Sequence, residues 1–421
     1  MVDEKNDNNE ISRRGFLELG SAAVAGVAGI LAMNDAAAAQ SSGEVKTGRT
    51  TKISDPGPKN KPLEAANADV SVPPLTDAGG VPTFKYPFAL SNRRVFEGGW
   101  SREVTVRELP VSRSMAGVNM RLTAGGIREL HWHTAAEWAI MLYGSARITA
   151  IDNEGRSFVR DTEQGDLWYF PTGIPHSIQG LGPDGAEFLL VFDDGDFSEH
   201  ATVLLSDIVT HTPKEVLLRN FGMSKQAVDQ MFNGELFIFQ APMPASLGED
   251  QKLAAGKLGQ SPHDFSFRTS QQTPTKKTKG GEVLIVDSST FKVSTTIAAA
   301  IVTIHPGGMR ELHWHQNADE WQYFISGTGR MTVLATGHRA RTMNFETGDV
   351  GYVQHTLPHY IENTGNTDLK FIEMFKSNRY QDLSLSEWLA HTPPELVMAH
   401  LNIDKAAYDA IPKEKAVILP E

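Results

Sequence analysis

The sequence predicts an all-β protein made of two copies of one small antiparallel barrel or sandwich, each followed by α-helices. From Phe88 onward, short runs of Val, Ile, Phe and Thr alternate with Gly, Asp and Asn, which is typical of successive β-strands. Residues 117–192 carry most of this pattern, and residues 298–375 repeat it. A helix-start motif also occurs twice, at residues 211–217 and 391–397, so each barrel is expected to carry appended helices.

The two helix-start motifs have the same chemistry. In the first, Thr212 is predicted as the N-cap, Pro213 as the first helical residue and Glu215 as the third, which together form a capping box. The histidines that precede the two threonines, His211 and His391, lie outside any ligand pattern, and we interpret them as structural.

Two histidine pairs, each interrupted by a tryptophan, mark the same position in both repeats. In the first repeat, His131 and His133 are followed by Glu137 and then, after a Gly-Asp pair, by His176. Two equivalent metal sites explain this repetition. The second set has the same order, with one extra residue before the glutamate: His313, His315, Glu320 and His359.

Strand geometry and donor chemistry support a metal role for these residues. Side chains at positions i and i+2 of a strand share a face, so each histidine pair projects into one interior while Trp132 and Trp314 point away as packing residues. The chain has no cysteine, so a metal must be held by nitrogen and oxygen. Three imidazoles and one carboxylate leave about two positions open on an octahedral ion, which suits Mn²⁺ or Fe²⁺ better than closed tetrahedral zinc.

Length and charge narrow the class of protein. The 421 residues are enough for two domains with sizeable cores. A formal net charge of −12 disfavours general affinity for nucleic acid or an anionic membrane. An acidic protein that binds a small anion needs local positive charge, which a metal or an arginine can supply.

The N-terminus is predicted as a targeting segment. Arg13 and Arg14, followed by an apolar Ala/Gly-rich stretch and a run of four alanines, indicate a twin-arginine signal peptide over residues 1–39, and hence export to the periplasm or secretion. An N-terminal membrane anchor is the alternative, but the apolar stretch is short for a membrane span, so we expect no stable membrane insertion once the signal is removed. Residues 40–85, rich in Pro, Gly, Asn, Asp and Lys, are predicted as an extended arm.

We predict two barrel domains with their helical extensions, at residues 86–245 and 246–421. The polar segment 252–281, which contains Pro262 and Pro274, is interpreted as the connection between them.

The repeated motifs resemble those of the cupin superfamily. The spacing Gly-x5-His-x-His-x3,4-Glu-x6-Gly, followed by Gly-x5-Pro-x-Gly-x2-His, is similar to the two cupin motifs, and two copies imply a bicupin of two double-stranded β-helix (jelly-roll) barrels. The second copy departs from the motif at 354–356, where Gln-His-Thr replaces Pro-x-Gly. The segments RELHWH, EFLLVFDDGDFSE and NADEWQYFISG further resemble bacterial and fungal oxalate decarboxylases over roughly residues 80–410. That resemblance implies two Mn²⁺ per chain, dioxygen, oxalate as substrate, formate and carbon dioxide as products, and a hexameric homo-oligomer.

The resemblance also assigns roles at the first site. Glu199, in the acidic stretch 193–199 that we call the lid, matches the general acid/base of the family; from the residues alone it would be a solvated loop glutamate. Arg128 matches a substrate-pairing arginine, with a surface arginine as the alternative. Its odd spacing from His131 requires a bulge or bend in the strand.

The second site is expected to be structural or secondary, because it has no clear lid glutamate. Arg310 occupies the position that Arg128 has in the first repeat. Glu373, in an otherwise apolar strand, is a candidate proton carrier, and a structural hydrogen-bonding role is an equal alternative.

Two residues leave the choice of reaction open. His200 and Ala201 stand where such lids commonly have Asn and Ser. If His200 disables the lid, an oxalate oxidase or another small-acid dioxygenase becomes the alternative function. A non-catalytic storage or binding bicupin is a further alternative. The eight intact metal ligands disfavour it, because such a protein has no need to retain them.

Overall fold

The computed structural model describes residues 60–66, 80–231 and 234–421. The predicted signal peptide at 1–39 lies outside the described residues, as does most of the predicted arm. The described part of the arm ends in a short strand that begins at Lys85. The prediction of two all-β barrels with appended helices is confirmed.

The first barrel is built from antiparallel strands whose residues alternate between its interior and its outer face. Strand β6 (Glu137–Ile151) is the longest of the described strands, with 15 residues, and runs through both sheets of this barrel. In chain order, the strands up to the connection are β1 (Lys85–Pro87), β2 (Arg94–Phe96), β3 (Gly99–Val104), β4 (Ala116–Leu122), β5 (Gly126–Trp132), β6 (Glu137–Ile151), β7 (Ser157–Glu163), β8 (Leu167–Phe170), β9 (His176–Gly180), β10 (Ala186–Phe192), β11 (Val203–Leu204), β12 (Ile238–Gln240) and β13 (Ser266–Phe267).

One sheet of this barrel has the order β2-β3-β4-β10-β6-β8, and the other has β7-β6-β9-β5 with β11 and β12 both pairing with β5. The strands of the second barrel are β14 (Lys276–Thr278), β15 (Gly281–Val286), β16 (Ala298–Ile304), β17 (Met309–Trp314), β18 (Glu320–Ser326), β19 (Thr328–Ala335), β20 (Arg339–Glu346), β21 (Asp349–Val353), β22 (His359–Asn363), β23 (Leu369–Phe375), β24 (Leu383–Ser384) and β25 (Ile418–Leu419). They repeat the plan of the first barrel, with the orders β15-β16-β23-β18-β21 and β20-β19-β22-β17.

Each barrel also receives a strand from outside its own segment. Strand β1 pairs with β21 of the second barrel, and the buried Lys85 Nζ lies 2.7 Å from Asp349 Oδ2. In the opposite direction, β13 pairs with β8 of the first barrel. The predicted domain limit between residues 245 and 246 stays a prediction. The segment after it packs on the first barrel through Asp250, which pairs with Arg147.

One described helix, α1 (Lys61–Ala66), precedes both barrels, and the others follow a barrel as expected. They are α2 (Leu205–His211), α3 (Lys214–Phe221), α4 (Lys225–Asp229), α5 (Leu247–Ala255), α6 (Leu385–Ala390), α7 (Pro394–Leu401) and α8 (Lys405–Asp409). The predicted capping box at Thr212 is wrong. Pro213 is the N-cap of α3, and the Thr212 hydroxyl donates to the carbonyl of Ile208 in the preceding helix, so it closes α2 instead of opening α3.

The core is divided among the two barrel interiors and the interface between the barrels. Along β10, Phe188 and Leu190 belong to the interior of the first barrel, whereas Leu189 and Val191 belong to the cluster between the barrels. Strands buried on both faces need apolar residues at nearly every position, which explains the continuous apolar runs of β10 and β23. Among the described residues, no helix is both long and apolar enough to span a membrane.

Candidate metal centres and active site

The first barrel brings its four predicted ligands together. His131 lies on β5 opposite His176, the first residue of β9, and His133 follows the end of β5. Glu137 opens β6, so it reaches the site from the next strand instead of continuing β5. All four side chains are buried, and their ligand atoms lie within 4.8 Å of one another.

Backbone carbonyls orient the imidazoles. Nδ1 of His131 lies 2.6 Å from the carbonyl of Glu129, and Nδ1 of His176 lies 2.7 Å from that of Ile174. A carbonyl only accepts, so each Nδ1 carries the proton and each Nε2 presents a lone pair to the barrel interior. Carbonyl contacts of this kind, which fix the tautomer of a metal-binding histidine, recur at His133, His313, His315 and His359.

The carboxylate of Glu137 is held between the histidines and a tryptophan. Its Oε2 lies 3.3 Å from His133 Nε2 and 3.4 Å from His176 Nε2, while Oε1 accepts from Trp168 Nε1 at 2.9 Å. Burial alone would raise the pKa of Glu137, but the two histidines outweigh it and lower the pKa below its usual value. Glu137 is therefore a buried carboxylate that can serve as an anionic metal ligand.

The second barrel repeats the arrangement. Glu320 Oε2 lies 3.2 Å from His315 Nε2 and 2.8 Å from His359 Nε2, and Glu320 Oε1 accepts from Gln322 Nε2 at 2.5 Å. His313 faces His359 with ring centroids 4.2 Å apart. The ligand atoms of these four buried residues also lie within 4.8 Å of one another.

Both clusters fit a divalent metal ion. Buried polar atoms nearly always have a partner, yet the Nε2 atoms of His176, His313, His315 and His359 have no hydrogen-bond partner within the described part of the chain. Three neutral imidazole nitrogens and one carboxylate oxygen, converging in a buried interior, form the donor set of a divalent ion with open positions.

Arg128 enters the first site through the bulge that its spacing required. The register between β5 and β9 shifts between Arg128 and His131, which turns the arginine to the histidine face. Its guanidinium lies 3.9 Å from the ring centroid of Phe237 and donates to the Phe237 carbonyl at 3.3 Å. Burial lowers the pKa of Arg128, with Glu199 the largest opposing influence. No carboxylate among the described residues lies within ion-pair distance of it.

Arg310 reaches the second site by an equivalent register shift, but its surroundings differ. Its Nη2 lies 2.7 Å from Asp382 Oδ2 and 2.8 Å from the Tyr380 hydroxyl, and its Nε lies 3.5 Å from Glu373 Oε1. Burial opposes its charge, but the Tyr380 phenol and the surrounding carboxylates outweigh it and raise its pKa well above the usual value. The charge of Arg310 is thus compensated within the protein.

Glu373 lies on β23 with its side chain fully buried. Burial, followed by the charge of Glu320, raises the pKa of Glu373 to about 7. Its Oε2 accepts from the Tyr380 hydroxyl at 3.5 Å. Both predicted roles of Glu373 remain compatible with the structure. A pKa of about 7 suits a proton carrier, and the contacts with Arg310 and Tyr380 suit a structural hydrogen-bonding group.

Glu199 is buried by a closed lid. It begins a single 3₁₀ turn, Glu199–Ala201, and is only 4% exposed. Ser101 donates a 2.7 Å hydrogen bond to Glu199 Oε2. Burial raises the pKa of the Glu199 carboxyl, although Arg128 and the Ser101 hydrogen bond act against it. Burial thus favours the protonated form of this carboxyl, which is the form that a general acid requires.

Phe197 closes the lid over the first metal cluster. Its ring stacks on Phe192 at a centroid distance of 3.6 Å and lies 5.7 Å from the ring of His133. His200, by contrast, is exposed to solvent, and its backbone amide donates to the Ser198 hydroxyl.

Two further histidines lie away from both clusters. His211 and His391 are exposed at helix C-termini, where their Nδ1 atoms contact the carbonyls of Asp207 and Glu387. This placement agrees with the interpretation of His211 and His391 as structural residues and not metal ligands.

Sequence reasoning missed Ser101, Tyr380 and Asp382. Ser101 contacts Glu199 from 98 residues away, and a lone serine in a strand gives no signal of that contact. Tyr380 and Asp382 follow β23 as the lid follows β10, so an alignment of the two repeats beyond the strands would have drawn attention to them.

Comparisons with known proteins agree with this geometry. The cupin family model matches residues 88–229 and 267–408. The chain is 52% identical over 368 residues to oxalate decarboxylase OxdC of Bacillus subtilis, covering 87% of this chain and 94% of that protein. It is 41% identical to a probable oxalate decarboxylase of Arthroderma benhamiae, covering 86% and 90% of the two chains. A solved structure from work on the Mn(II) centres of Bacillus subtilis oxalate decarboxylase superposes with a TM-score of 0.84 at 50% identity, covering 89% and 98%.

Two jelly-roll barrels, each with a buried cluster of three histidines and one glutamate, define a bicupin metalloprotein. Within that class, the family follows from the sequence identity to oxalate decarboxylases and from the large share of both chains over which it extends. The chain belongs to the bicupin oxalate decarboxylase family.

Proposed function

We propose that this protein is a manganese-dependent oxalate decarboxylase that converts oxalate to formate and carbon dioxide in the presence of dioxygen, with Glu199 as its acid/base. The observation that carries the proposal is the closed lid, which places a buried carboxyl of raised pKa beside Arg128 and over a complete ligand cluster. The 52% identity to a Bacillus subtilis oxalate decarboxylase supports the same activity.

The substrate sets three requirements. Oxalate is a dianion, so its binding needs positive charge. Cleavage of the C–C bond leaves an electron pair on the carbon that becomes formate, and this carbon must receive a proton. One oxalate dianion and one proton thus give one formate and one carbon dioxide.

The residues of the first site meet these requirements. Bound manganese would be held by His131, His133, Glu137 and His176, and would supply Lewis acidity toward a carboxylate and redox chemistry with dioxygen.

Arg128, whose guanidinium has no carboxylate partner among the described residues, is available to pair with the substrate and to stabilise negative charge during the reaction. The protonated Glu199 carboxyl donates the required proton to the carbon that becomes formate and takes up another proton after product release. Phe197 and Phe192 exclude water from this step.

The first site is proposed as the catalytic one because the two arginines differ. Arg310 is paired with Asp382 and Glu373, so an incoming dianion would have to displace buried carboxylates. Arg128 has no such competitor among the described residues. We therefore propose a structural or secondary role for the second metal.

The test is metal analysis and product analysis of protein produced with manganese. We expect two manganese ions per chain and formate as the main product from oxalate. Glu199→Ala should lower formate production at least about 100-fold, the usual contribution of a general acid/base, and leave the metal content unchanged. Glu154→Ala, at an exposed turn, is the matched control. Unchanged formate production by Glu199→Ala would contradict the assignment of the lid.

The oxidase alternative is measured in the same assay. Oxidation consumes one oxalate dianion, one dioxygen and two protons, and gives two carbon dioxide and one hydrogen peroxide. If His200 weakened lid closure, peroxide would dominate over formate in the wild-type protein. The buried position of Glu199 supports decarboxylation instead.

We further propose that the chain is exported by the twin-arginine route to the periplasm or beyond, on the basis of Arg13, Arg14 and the apolar stretch behind them. Replacing both arginines with lysine should retain the protein in the cytoplasm on cell fractionation. Export of the doubly substituted chain would contradict this route.

We also propose a homo-oligomer, hexameric by family resemblance. Exposed apolar side chains, including Phe221 and Met223, border a cavity of about 570 Å³ beside the helices of the first domain. In the second domain, Trp388 is 59% exposed next to Trp314. Light scattering of the purified protein tests this proposal, and a monomer at micromolar concentration would contradict it.

A further inference from the structure

Strand β3 holds Glu199 of the closed lid through both its side chain and its backbone amide. The Ser101 hydroxyl on β3 donates to the Glu199 carboxylate at 2.7 Å, and Glu103 on the same strand accepts from the Glu199 backbone amide at 3.3 Å. Ser101 has no exposed surface, so this hydrogen bond is shielded from water. A shielded hydrogen bond to a charged group is stronger than one at the surface.

The other charged groups that face Glu199 hold it less directly. Arg94, opposite Ser101 in the β2–β3 pair, approaches Glu199 Oε2 only to 3.9 Å, and its guanidinium lies over the ring of Phe237 at 4.1 Å. Arg128 acts on the carboxylate through charge alone, and Glu103 opposes its ionisation.

The segment just after the lid offers Glu199 no alternative partner. The Thr202 hydroxyl, three residues beyond Glu199, is buried and has no hydrogen-bond partner in the described part of the chain. Within the described residues, Ser101 therefore supplies the one side-chain hydrogen bond to the Glu199 carboxylate.

We propose that Ser101 is a positioning residue that holds the Glu199 carboxyl over the first metal cluster and thereby sets the share of turnovers that end in formate. This inference rests on the proposed decarboxylase function. Glu199 must be in place when the C–C bond breaks, because the carbon that becomes formate then needs one proton. When the carboxyl is displaced, the two electrons of that bond reduce dioxygen instead. With two protons this yields hydrogen peroxide and a second carbon dioxide.

The test compares Ser101→Ala with wild type and with Ser294→Ala. The control removes an equally buried hydroxyl, which donates to a backbone carbonyl in the second half of the chain. In Ser101→Ala we expect the ratio of formate to peroxide to fall about tenfold or more, in line with the loss of a hydrogen bond to a charged group. Manganese content should be unchanged. Ser294→Ala should keep the wild-type ratio.

Two more readouts separate positioning from a merely structural role. Ser101→Thr retains the hydroxyl and should restore most of the formate. In Ser101→Ala the ionisation seen in the pH profile of formate production should move to higher pH, because the carboxylate has lost a hydrogen bond that stabilises its charged form.

The outcomes distinguish the two proposals. A wild-type protein that makes no formate would overturn the proposed function, and this inference with it. A decarboxylating wild type with an unchanged product ratio and pH profile in Ser101→Ala would overturn the inference alone. A loss of activity in Ser101→Ala that is equal for both products and leaves the pH profile in place would also overturn it.

Discussion

Arg128 and Arg310 show how identical residues at equivalent positions acquire different chemistry. Each arginine lies three residues before the first histidine of a His-Trp-His (HWH) sequence. Each also turns toward the barrel interior at a register shift in its strand. What differs is the loop after the last barrel strand. In the first domain this loop brings Glu199 over the site, and in the second it brings Asp382 directly onto the guanidinium. The loop therefore decides whether the arginine is free for a substrate.

Replacing each arginine with lysine should separate these roles. Arg128→Lys should lower kcat/KM for formate production at least about tenfold, because an ammonium group cannot make the planar paired contact that a guanidinium makes with a carboxylate. Arg310→Lys should instead lower the thermal unfolding temperature with a smaller effect on kcat/KM. Steady-state assays and calorimetry measure both. Equal kinetic effects of the two substitutions would contradict the proposed division between the sites.

Asp382 should contribute pH-dependent stability. Burial opposes its ionisation, but Arg310 and Lys415 outweigh it and lower the pKa of Asp382 to about 2. A lowered carboxyl pKa stabilises the fold above the unfolded value of about 4, and this stability is lost as the pH falls through about 2. Asp382→Asn should therefore cost about 3 kcal/mol of unfolding free energy at pH 7. The difference from wild type should shrink by about 2 kcal/mol as the pH falls toward 2. Urea unfolding at several pH values measures it, and a pH-independent difference would contradict this reasoning.

At the scale of elements, the lid is a short loop with fixed contacts. The Gly195 carbonyl accepts from the Val106 amide at 2.8 Å, and the Gly195 α-carbon lies directly against the backbone of the neighbouring loop. A β-carbon there would come within 2.3 Å of the Ser112 carbonyl oxygen. Glycine at this position permits the lid to close, and the Phe197–Phe192 stack together with the Glu199–Ser101 hydrogen bond holds it closed.

Gly195→Ala should hinder lid closure. Because the clash is with backbone atoms that cannot rotate away, we expect a cost of about 1–3 kcal/mol, and formate production should fall about tenfold while the peroxide share rises. Gly248→Ala in α5, where no neighbouring atom lies within 4 Å, is the matched control and should leave both products unchanged. Wild-type kinetics in Gly195→Ala would show that closure does not need the close approach.

At the scale of the whole molecule, the two barrels depend on each other. Apolar residues of β10 and β23 form one cluster between them, and strands β1 and β13 each complete the other segment's barrel. The two ligand clusters thus lie in barrels that share an apolar cluster and exchange strands, although only the first ligand cluster has the lid.

Metal removal should affect stability and activity differently at the two sites. His133→Ala and His315→Ala should each lose one manganese ion per chain. Only His133→Ala should abolish formate production. Both should lower the unfolding temperature, because an ion that binds the folded state stabilises it. Metal analysis and calorimetry test this. Complete loss of activity in His315→Ala, with the first site still loaded, would contradict a secondary role for the second metal.

Much of the site could be predicted from the sequence because its pattern is local and repeated. The HWH strings, the following glutamates and the later Pro-His pairs identified both ligand sets, and the odd spacing of Arg128 correctly required a bulge. The capping box at Thr212 was wrong, since the same residues can close one helix instead of opening the next.

By itself, the sequence determined the all-β fold class, the duplication and the eight residues that form the two ligand clusters. It could do so because strand periodicity and donor spacing are short-range properties written in consecutive residues. Only the tertiary structure decided that β1 completes the second barrel, that Asp382 compensates Arg310 and that Ser101 holds Glu199. These contacts join residues that are distant along the chain, and a strand pairing or a single hydrogen bond between distant residues leaves no periodic pattern in either partner.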